Sequence, residues 1–233
     1  MIDGKKVNIA FSSRSFEYYL LLHFEYLYYP FEETECGERI KGNKHRFECG
    51  TNKNPNKDCD GKICINGYAR KQGYWKETKS SVSTFPLVAD KLVKGLINAS
   101  RLRAESDAKT NEPMYNRNPY TNVDLLVGRL IGKETISYDN TYHYLEHGVD
   151  WSVKFNEEGL LLTNHKAGSE VFRKGMFVVY NWESKTVEEL NTKTLLLSSG
   201  ESQIIPCNLK HNQVISIKVR PDKELLLLPK FSI

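Results

Sequence analysis

Residues 213–228 read QVISIKVRPDKELLLL, two apolar runs that are separated by a turn. The first run, Gln213–Val219, is rich in β-branched residues, which fit a pleated strand well. Pro221-Asp222-Lys223 supplies turn-forming residues, and Glu224–Leu228 is again of strand length. This stretch predicts two neighbouring strands and sets the fold class of the C-terminal half.

The same pattern extends outward from this stretch. Met176–Trp182 and Lys193–Leu197 are further runs of strand length, and turn signals recur at residues 157–159, 174–175 and 199–200. Short strands with regularly spaced turns are typical of antiparallel sandwiches and barrels. We therefore predict a β-rich domain over residues 121–233, with mostly antiparallel strand from Val123 onward.

Residues 1–120 have a different character. Apolar residues three or four apart from Phe16 to Leu27 predict a helix that Pro30 ends, and a second helix is predicted from Pro86 to Ala104, with Pro86 in its first turn. Residues 32–83 are loop-like, and residues 105–120 are polar and indicate a linker. The chain is predicted to be an α+β protein with a helical, loop-rich N-terminal part.

The composition indicates in which cellular compartment the chain is expected. The apolar runs are too short to span a membrane, and no targeting segment is recognisable at the start. Five cysteines, an odd number, argue against a disulfide framework and favour a reducing compartment. The expected location is the cytoplasm, without membrane partners.

Cysteine and histidine cluster within the loop-like segment. Cys49, Cys59 and Cys64 lie close together, with His45 and Cys36 upstream. Thiolates and imidazoles are the ligands of structural Zn²⁺, and such a loop has too few apolar residues to build a core. We predict a zinc staple formed by Cys49, Cys59, Cys64 and either His45 or Cys36.

The same segment carries most of the positive charge. Residues 39–79 contain eleven Lys or Arg against four acidic residues, so the segment is +7 and the rest of the chain is −3. Cationic loops neutralise phosphates, and interleaved aromatic rings stack on unpaired bases. The predicted nucleic-acid-binding residues are Lys62, Tyr68, Arg70, Lys71, Tyr74, Trp75 and Lys76. RNA or single-stranded DNA is the expected ligand.

Two patterns offer a metal-dependent hydrolase as an alternative. His143-Tyr-Leu-Glu146-His147 resembles the inverted motif of pitrilysin-type zinc peptidases, which implies two His ligands on one helix and a later Glu, here Glu224. The resemblance covers only these residues, and their surroundings predict strand or turn. An Asp followed by Glu-x-Lys, as in Mg²⁺-dependent nucleases, could be formed by Asp150 with Glu183 and Lys185.

The preferred interpretation is a nucleic-acid-binding component of a larger assembly, in which the β-rich domain is either the scaffold or the surface on which protein partners dock. No catalytic residue is assigned. A structural or interaction subunit without catalysis is the other alternative, and a large apolar interface patch would distinguish it.

Overall fold

The computed structural model describes residues 9–13, 15–31, 65–75 and 81–231. The chain divides into two compact units, Met1–Val127 and Gly128–Ile233. Several predicted site residues lie outside the described part: Cys36, His45, Cys49, Cys59, Lys62, Cys64, Lys76 and the side chain of Arg70.

The N-terminal unit is helical in its described parts. Its helices are α1 (Glu17–Leu21), α2 (Ile65–Lys71), α3 (Ser81–Val88) and α4 (Leu92–Lys109), with 3₁₀ turns at Ala89–Lys91 and Met114–Asn116. Helix α5 (Val123–Leu130) begins in this unit and carries the chain into the next. An isolated bridge between Ser12 and Thr121 ties the start of the described chain to the residues before α5.

The core of this unit forms between α1 and α4. Tyr18, Leu21 and Leu22 are buried at α1, and Ala99 and Leu102 are buried on α4. Burial of these apolar side chains is the main force that holds the short helix α1 in place, because five residues cannot form a stable helix alone.

Helix α1 is shorter than its apolar stripe predicted. The helix ends at Leu21, and residues 25–31 are without helical structure instead of continuing to Pro30. The Tyr18 hydroxyl accepts a hydrogen bond from the Tyr29 amide (3.2 Å) and lies 2.8 Å from the Leu27 carbonyl oxygen, to which it donates. These tertiary bonds hold the returning chain against α1 and override the local periodicity.

The second predicted helix is present with different bounds. Helix α3 begins at Ser81, so Pro86 lies inside it rather than in its first turn, and the prediction for Pro86 is wrong. Proline lacks the amide that would continue the helical ladder. The chain then passes through the 3₁₀ turn before α4, which continues to Lys109, beyond the expected end at Ala104.

The second unit is a β structure, here called the β unit. Its strands are β1 (Lys133–Ile136), β2 (Thr141–Glu146), β3 (Val149–Asn156), β4 (Gly159–Asn164), β5 (Glu170–Phe172), β6 (Phe177–Asn181), β7 (Val187–Glu189), β8 (Leu195–Leu197), β9 (Ser202–Ile205), β10 (Gln213–Arg220) and β11 (Lys223–Leu227). They form sheets with the orders β1-β11-β10-β6-β7, β2-β3-β4-β9 and β5-β8.

The two larger sheets contribute to one core. Trp151 and Phe155 on β3 belong to the same buried cluster as Ile215 on β10 and Leu225 on β11. The two strands predicted within residues 213–228 are confirmed, and they form an antiparallel hairpin of β10 and β11 in which Ile215 lies opposite Leu227. Its strands are buried at successive positions because both of their faces are covered.

The α+β class with antiparallel sheets is confirmed, and two details differ. Residues 123–130 form helix α5 rather than strand, and β1 pairs parallel with β11. No closed barrel is found among the described strands. Within the described ranges, no helix is long and apolar enough to cross a membrane.

Candidate nucleic-acid interface

The described part of the basic segment is helix α2 and the turn that follows it. Gly73 adopts φ +74°, a left-handed conformation that glycine accepts without strain, and the Tyr74 amide bonds back to the Ala69 carbonyl at 2.9 Å. This cap ends the helix and leaves Lys71, Gln72 and Gly73 exposed. The charged end of α2 is therefore open to solvent.

Three aromatic residues of the segment anchor it to the N-terminal core. The Tyr74 ring stacks on Phe24 at a centroid distance of 4.6 Å, and the Trp75 ring lies 6.0 Å from the same ring. The Tyr68 hydroxyl donates a 2.6 Å hydrogen bond to the Glu25 carboxylate. Trp75 is only 5% exposed, so the expectation that it would be accessible for base stacking is wrong for this conformation.

The pKa values of the two tyrosines reflect this anchoring. Burial, followed by interactions with Glu25, raises the pKa of Tyr74 to about 12. Burial and the hydrogen bond to Glu25 also raise the pKa of Tyr68. Both phenols are therefore neutral near pH 7, and Tyr68 remains a hydrogen-bond donor to Glu25.

A row of cations and aromatic rings continues from this anchor. Phe24, Tyr26 and Tyr28 alternate along the chain after α1, and each ring lies beneath a cation from the 3₁₀ turn or from α4. The pairs are Lys91 over Phe24 at 5.5 Å, Arg101 over Tyr26 at 3.8 Å and Lys109 over Tyr28 at 3.8 Å. Such cation–π contacts fix the positions of both partners.

Acidic side chains compensate part of the positive charge of this row. Lys91 pairs with Asp90, and Lys109 pairs with Glu105, which also accepts a hydrogen bond from Tyr26. The row therefore serves mainly to attach the segment after α1 to α4. Lys71, at the open end of α2, is exposed.

Sequence reasoning missed a buried polar centre in the same unit. Asp124, at the start of α5, forms an ion pair with Arg103 of α4, and Asn98 of α4 donates to the Leu22 carbonyl oxygen at 2.7 Å. His23 is buried against Gly95, with its Nδ1 3.0 Å from the Tyr19 carbonyl oxygen. A Thr-Asn pair before Val123 and an acidic residue in the first turn were the available helix-start signal.

A family model described as RloB-like protein matches residues 2–130. The chain belongs to the RloB-like family. The match includes the whole N-terminal unit apart from Met1, and with it the basic segment and the Arg103–Asp124 pair. Searches of curated proteins and of solved structures found no match.

The peptidase-like pattern lies beyond the RloB-like match, in the β unit. His143 and Glu146 lie on strand β2, and His147 lies in the following turn with φ +53°, as the sequence predicted for strand or turn. The His143 ring bonds to Asp150 at 2.6 Å, whereas His147 is 81% exposed on its side chain. The two histidines do not share a helical face, so the geometry that the peptidase resemblance implies is not formed.

The residues of the nuclease-like pattern are engaged elsewhere. Asp150 holds His143, and Glu183 lies in the turn between β6 and β7, where it accepts a 3.1 Å hydrogen bond from Asn212. Glu224, the later Glu of the peptidase-like pattern, is also engaged, since it accepts hydrogen bonds from Ser216 and Lys133. Among the described residues, no three His, Cys, Asp or Glu side chains are grouped to hold a metal ion.

Proposed function

We propose that this RloB-like chain binds RNA or single-stranded DNA through its basic segment, residues 39–79, as a component of a larger assembly. The observation that carries the proposal is the separation of charge. The segment holds +7 while the rest of the chain holds −3, and its described helix presents Lys71 at an exposed end.

The arrangement of α2 supports this proposal physically. Tyr68 within the helix and Tyr74 after it contact Glu25 and Phe24, which attaches the end of the helix that carries Lys71 to the N-terminal core. Each phosphate that a cation neutralises releases counterions, which favours binding. Binding by charge on a preformed surface fits a component that recognises strands without reading their sequence.

The roles of the aromatic residues are revised by their burial. Tyr68 and Tyr74 are half-buried, whereas Trp75 is buried and acts as an anchor. Replacement of Trp75 by Ala is therefore expected to destabilise the N-terminal unit by about 3–5 kcal/mol, as large buried aromatic residues do. That variant is unsuitable as a test of stacking.

A zinc staple remains part of the proposal. Cys49, Cys59 and Cys64, with His45 or Cys36, would close the loop and hold its cations together, which would supply stability that the sequence cannot obtain from apolar burial. Metal analysis of the purified protein should find one zinc per chain. A chain that folds fully without metal would remove the staple from the proposal.

The test measures the affinity of the full chain for a labelled single-stranded oligonucleotide across a range of salt concentrations. Binding should weaken steeply with salt. Each phosphate that a cation neutralises on a single strand contributes about 0.7 to the log–log slope, so Arg70→Ala with Lys71→Ala should flatten that slope by roughly 1.4. Lys193→Ala, which removes an exposed lysine of the β unit, is the matched control and should leave the slope unchanged.

Two results would contradict the proposal. One is binding that does not respond to salt, and the other is an equal effect of the Lys193 control and the double variant. Either would favour the alternative of an interaction subunit without a nucleic-acid ligand.

A further inference from the structure

Strand β2 stands at one end of the sheet β2-β3-β4-β9, and among the described strands it pairs only with β3. An edge strand has a row of backbone amide and carbonyl groups that no second neighbour satisfies. Within the described ranges, no backbone hydrogen bond from a loop or turn reaches Thr141–Glu146. The outer edge of β2 is therefore open to a further strand.

The turn after β2 determines how the strand is paired with β3. It contains only His147 and Gly148, and both have positive φ, of +53° and +75°, as a type I′ turn requires. In a hairpin with two turn residues, the flanking residues exchange backbone hydrogen bonds. Glu146 and Val149 are these flanking residues, and they form the first hydrogen-bonded pair of the hairpin.

The alternation of pairs then identifies the outward backbone groups. Leu145 lies opposite Asp150, and this second pair exchanges no backbone hydrogen bonds, because bonded and non-bonded pairs alternate in an antiparallel ladder. The Asp150 carbonyl oxygen accordingly bonds on the other side, to the His165 amide at 2.8 Å. The backbone groups of Thr141, His143 and Leu145 therefore point away from β3.

Strand β2 also lacks the features that protect edge strands from pairing. It has six residues, whereas the other ends of the two larger sheets, β1, β7 and β9, have four, three and four. Charged residues occupy β1 and β7, but β2 contains no Pro or Lys and has its only carboxylate at its end, at Glu146. Among the described edges, β2 is thus the longest and carries the fewest obstacles to a partner strand.

The sequence of β2 indicates that the partner strand is another copy of itself. Thr141-Tyr142-His143-Tyr144-Leu145 is nearly symmetric about His143, with a tyrosine on each side. In a two-fold dimer the same surface of both copies forms the interface. Two antiparallel β2 strands with the axis at His143 would place Tyr142 of one copy opposite Tyr144 of the other, and Thr141 opposite Leu145.

This register satisfies every outward backbone group of β2. In each copy Thr141, His143 and Leu145 have one free amide and one free carbonyl group, and in this register each of these residues faces another of them. Each of the three opposing pairs exchanges two hydrogen bonds, so six backbone hydrogen bonds would form. A shift of the axis by one residue toward either end would leave some of these groups without a partner.

The side chains of β2 are suited to the same pairing. The Leu145 side chain is 72% exposed, and a second strand would cover part of it. Tyr142 and Tyr144 lie on the other face, where the Lys223 ammonium is 5.6 Å and 5.8 Å from their ring centres. Aromatic residues that lie opposite each other on neighbouring strands stabilise the pair of strands.

We propose that β2 is a self-association site, at which two copies of the chain pair through antiparallel β2 strands about a two-fold axis at His143. The pairing joins the β2-β3-β4-β9 sheets of the two copies into one continuous sheet. The site lies in the β unit, outside the basic segment, and it does not depend on the function proposed above.

Sedimentation equilibrium of the full chain without nucleic acid, over the micromolar range, measures the association. We expect a monomer–dimer equilibrium. Leu145→Pro removes the outward amide but no bond to β3, a position at which an edge strand tolerates proline. The axis doubles the loss to two backbone hydrogen bonds, so the dissociation constant should rise roughly thirtyfold. Leu145→Lys should also weaken the dimer, because edge lysines oppose strand pairing.

Matched controls separate this edge from other surfaces. Leu196→Lys changes another exposed leucine of the β unit, 62% exposed on β8, and should leave the dissociation constant unchanged. Arg70→Ala with Lys71→Ala should also leave it unchanged, which keeps the two proposals distinguishable. Circular dichroism and the urea midpoint show which variants fold, and Leu145→Lys carries the test if the proline variant does not.

Cysteine cross-linking tests the register. The Cα atoms of an opposing hydrogen-bonded pair lie about 5.5 Å apart, within the range of a disulfide. His143→Cys should therefore give a disulfide-linked dimer on mild oxidation. Thr141→Cys, which lies opposite Leu145 rather than its own copy, should show only the background of the parent chain with its five cysteines.

Three results would overturn the proposal. The first is a monomer throughout the micromolar range, which would leave the edge to a strand of a different protein. The second is a dimer that folded Leu145 variants do not weaken, or that Leu196→Lys weakens equally. The third is cross-linking of the Thr141→Cys variant without cross-linking of the His143→Cys variant.

Discussion

Asp124 is a carboxylate that is only 2% exposed, and Arg103 provides the cation that balances it. Removing one partner of a buried ion pair costs about 3–5 kcal/mol, because the other charge is left without compensation. We expect Arg103→Ala to lower the free energy of unfolding at pH 7 by about this amount. Urea titration measures the loss, and Asp124→Asn in the same background should recover part of it.

The pH dependence of this loss has a definite sign. Burial raises the pKa of Asp124 above its ordinary value, and Arg103 opposes the rise. A raised folded-state pKa gives a stability contribution that is full below the unfolded-state pKa and is lost as pH rises through the folded-state value. Arg103→Ala raises that pKa further, so the difference between variant and parent should shrink toward acid pH. A difference that does not shrink as the pH is lowered would contradict this account.

The basic interface over residues 39–79 stays a prediction from composition. The excess of Lys and Arg is visible in the sequence, and the structure shows that Lys71 is exposed. The direction of an aromatic side chain is not encoded by its neighbours, because it depends on partners distant in sequence. Trp75 turns inward because Phe24 provides a ring surface there. For the same reason the Arg103–Asp124 pair could not be foreseen.

At the scale of elements, the parallel pairing of β1 with β11 depends on Gly132. This residue has φ +68°, and a Cβ added to it would overlap the Asp222 carbonyl oxygen. We expect Gly132→Ala to cost about 1 kcal/mol for the left-handed backbone and about 1–3 kcal/mol more for displacing the neighbouring chain. The urea midpoint of the full chain measures this effect.

A matched glycine separates the two costs. Gly148, in the turn between β2 and β3, has a similar φ of +75°, and a Cβ there would meet no atom within 4 Å. Gly148→Ala should therefore show only the backbone cost of about 1 kcal/mol. Equal losses in the two variants would show that the contact with Asp222 is unimportant.

Element prediction succeeded where local pattern and burial agree. The β10–β11 hairpin has strand-forming runs on both sides of a turn, and both sheets use those residues as core. It failed at α5, where Val123 and Val127 are spaced for one face of a helix, but the adjacent apolar residues were interpreted as strand. The predicted length of α1 was wrong because the Tyr18 hydroxyl forms hydrogen bonds with the chain that follows the helix. The spacing of apolar residues gives no information about such a contact.

At the scale of the whole molecule, the two buried clusters share no residue. One contains residues from Tyr18 to Val123 and the other residues from Ile136 to Leu227. A unit with its own core has the means to fold alone. We predict that a fragment of residues 128–233 unfolds cooperatively in urea, and that its tryptophan fluorescence reports the transition because the Trp151 ring is buried.

Strand order determines the control for this fragment. Strand β11 lies between β1 and β10 and contributes Leu225 and Leu227 to the core, so a fragment that ends at residue 220 loses a central strand. Removing these leucines costs several kcal/mol each, comparable to the whole stability of a small domain. The shorter fragment should show no cooperative transition. If the longer fragment also lacks one, the β unit does not fold independently of residues 1–127.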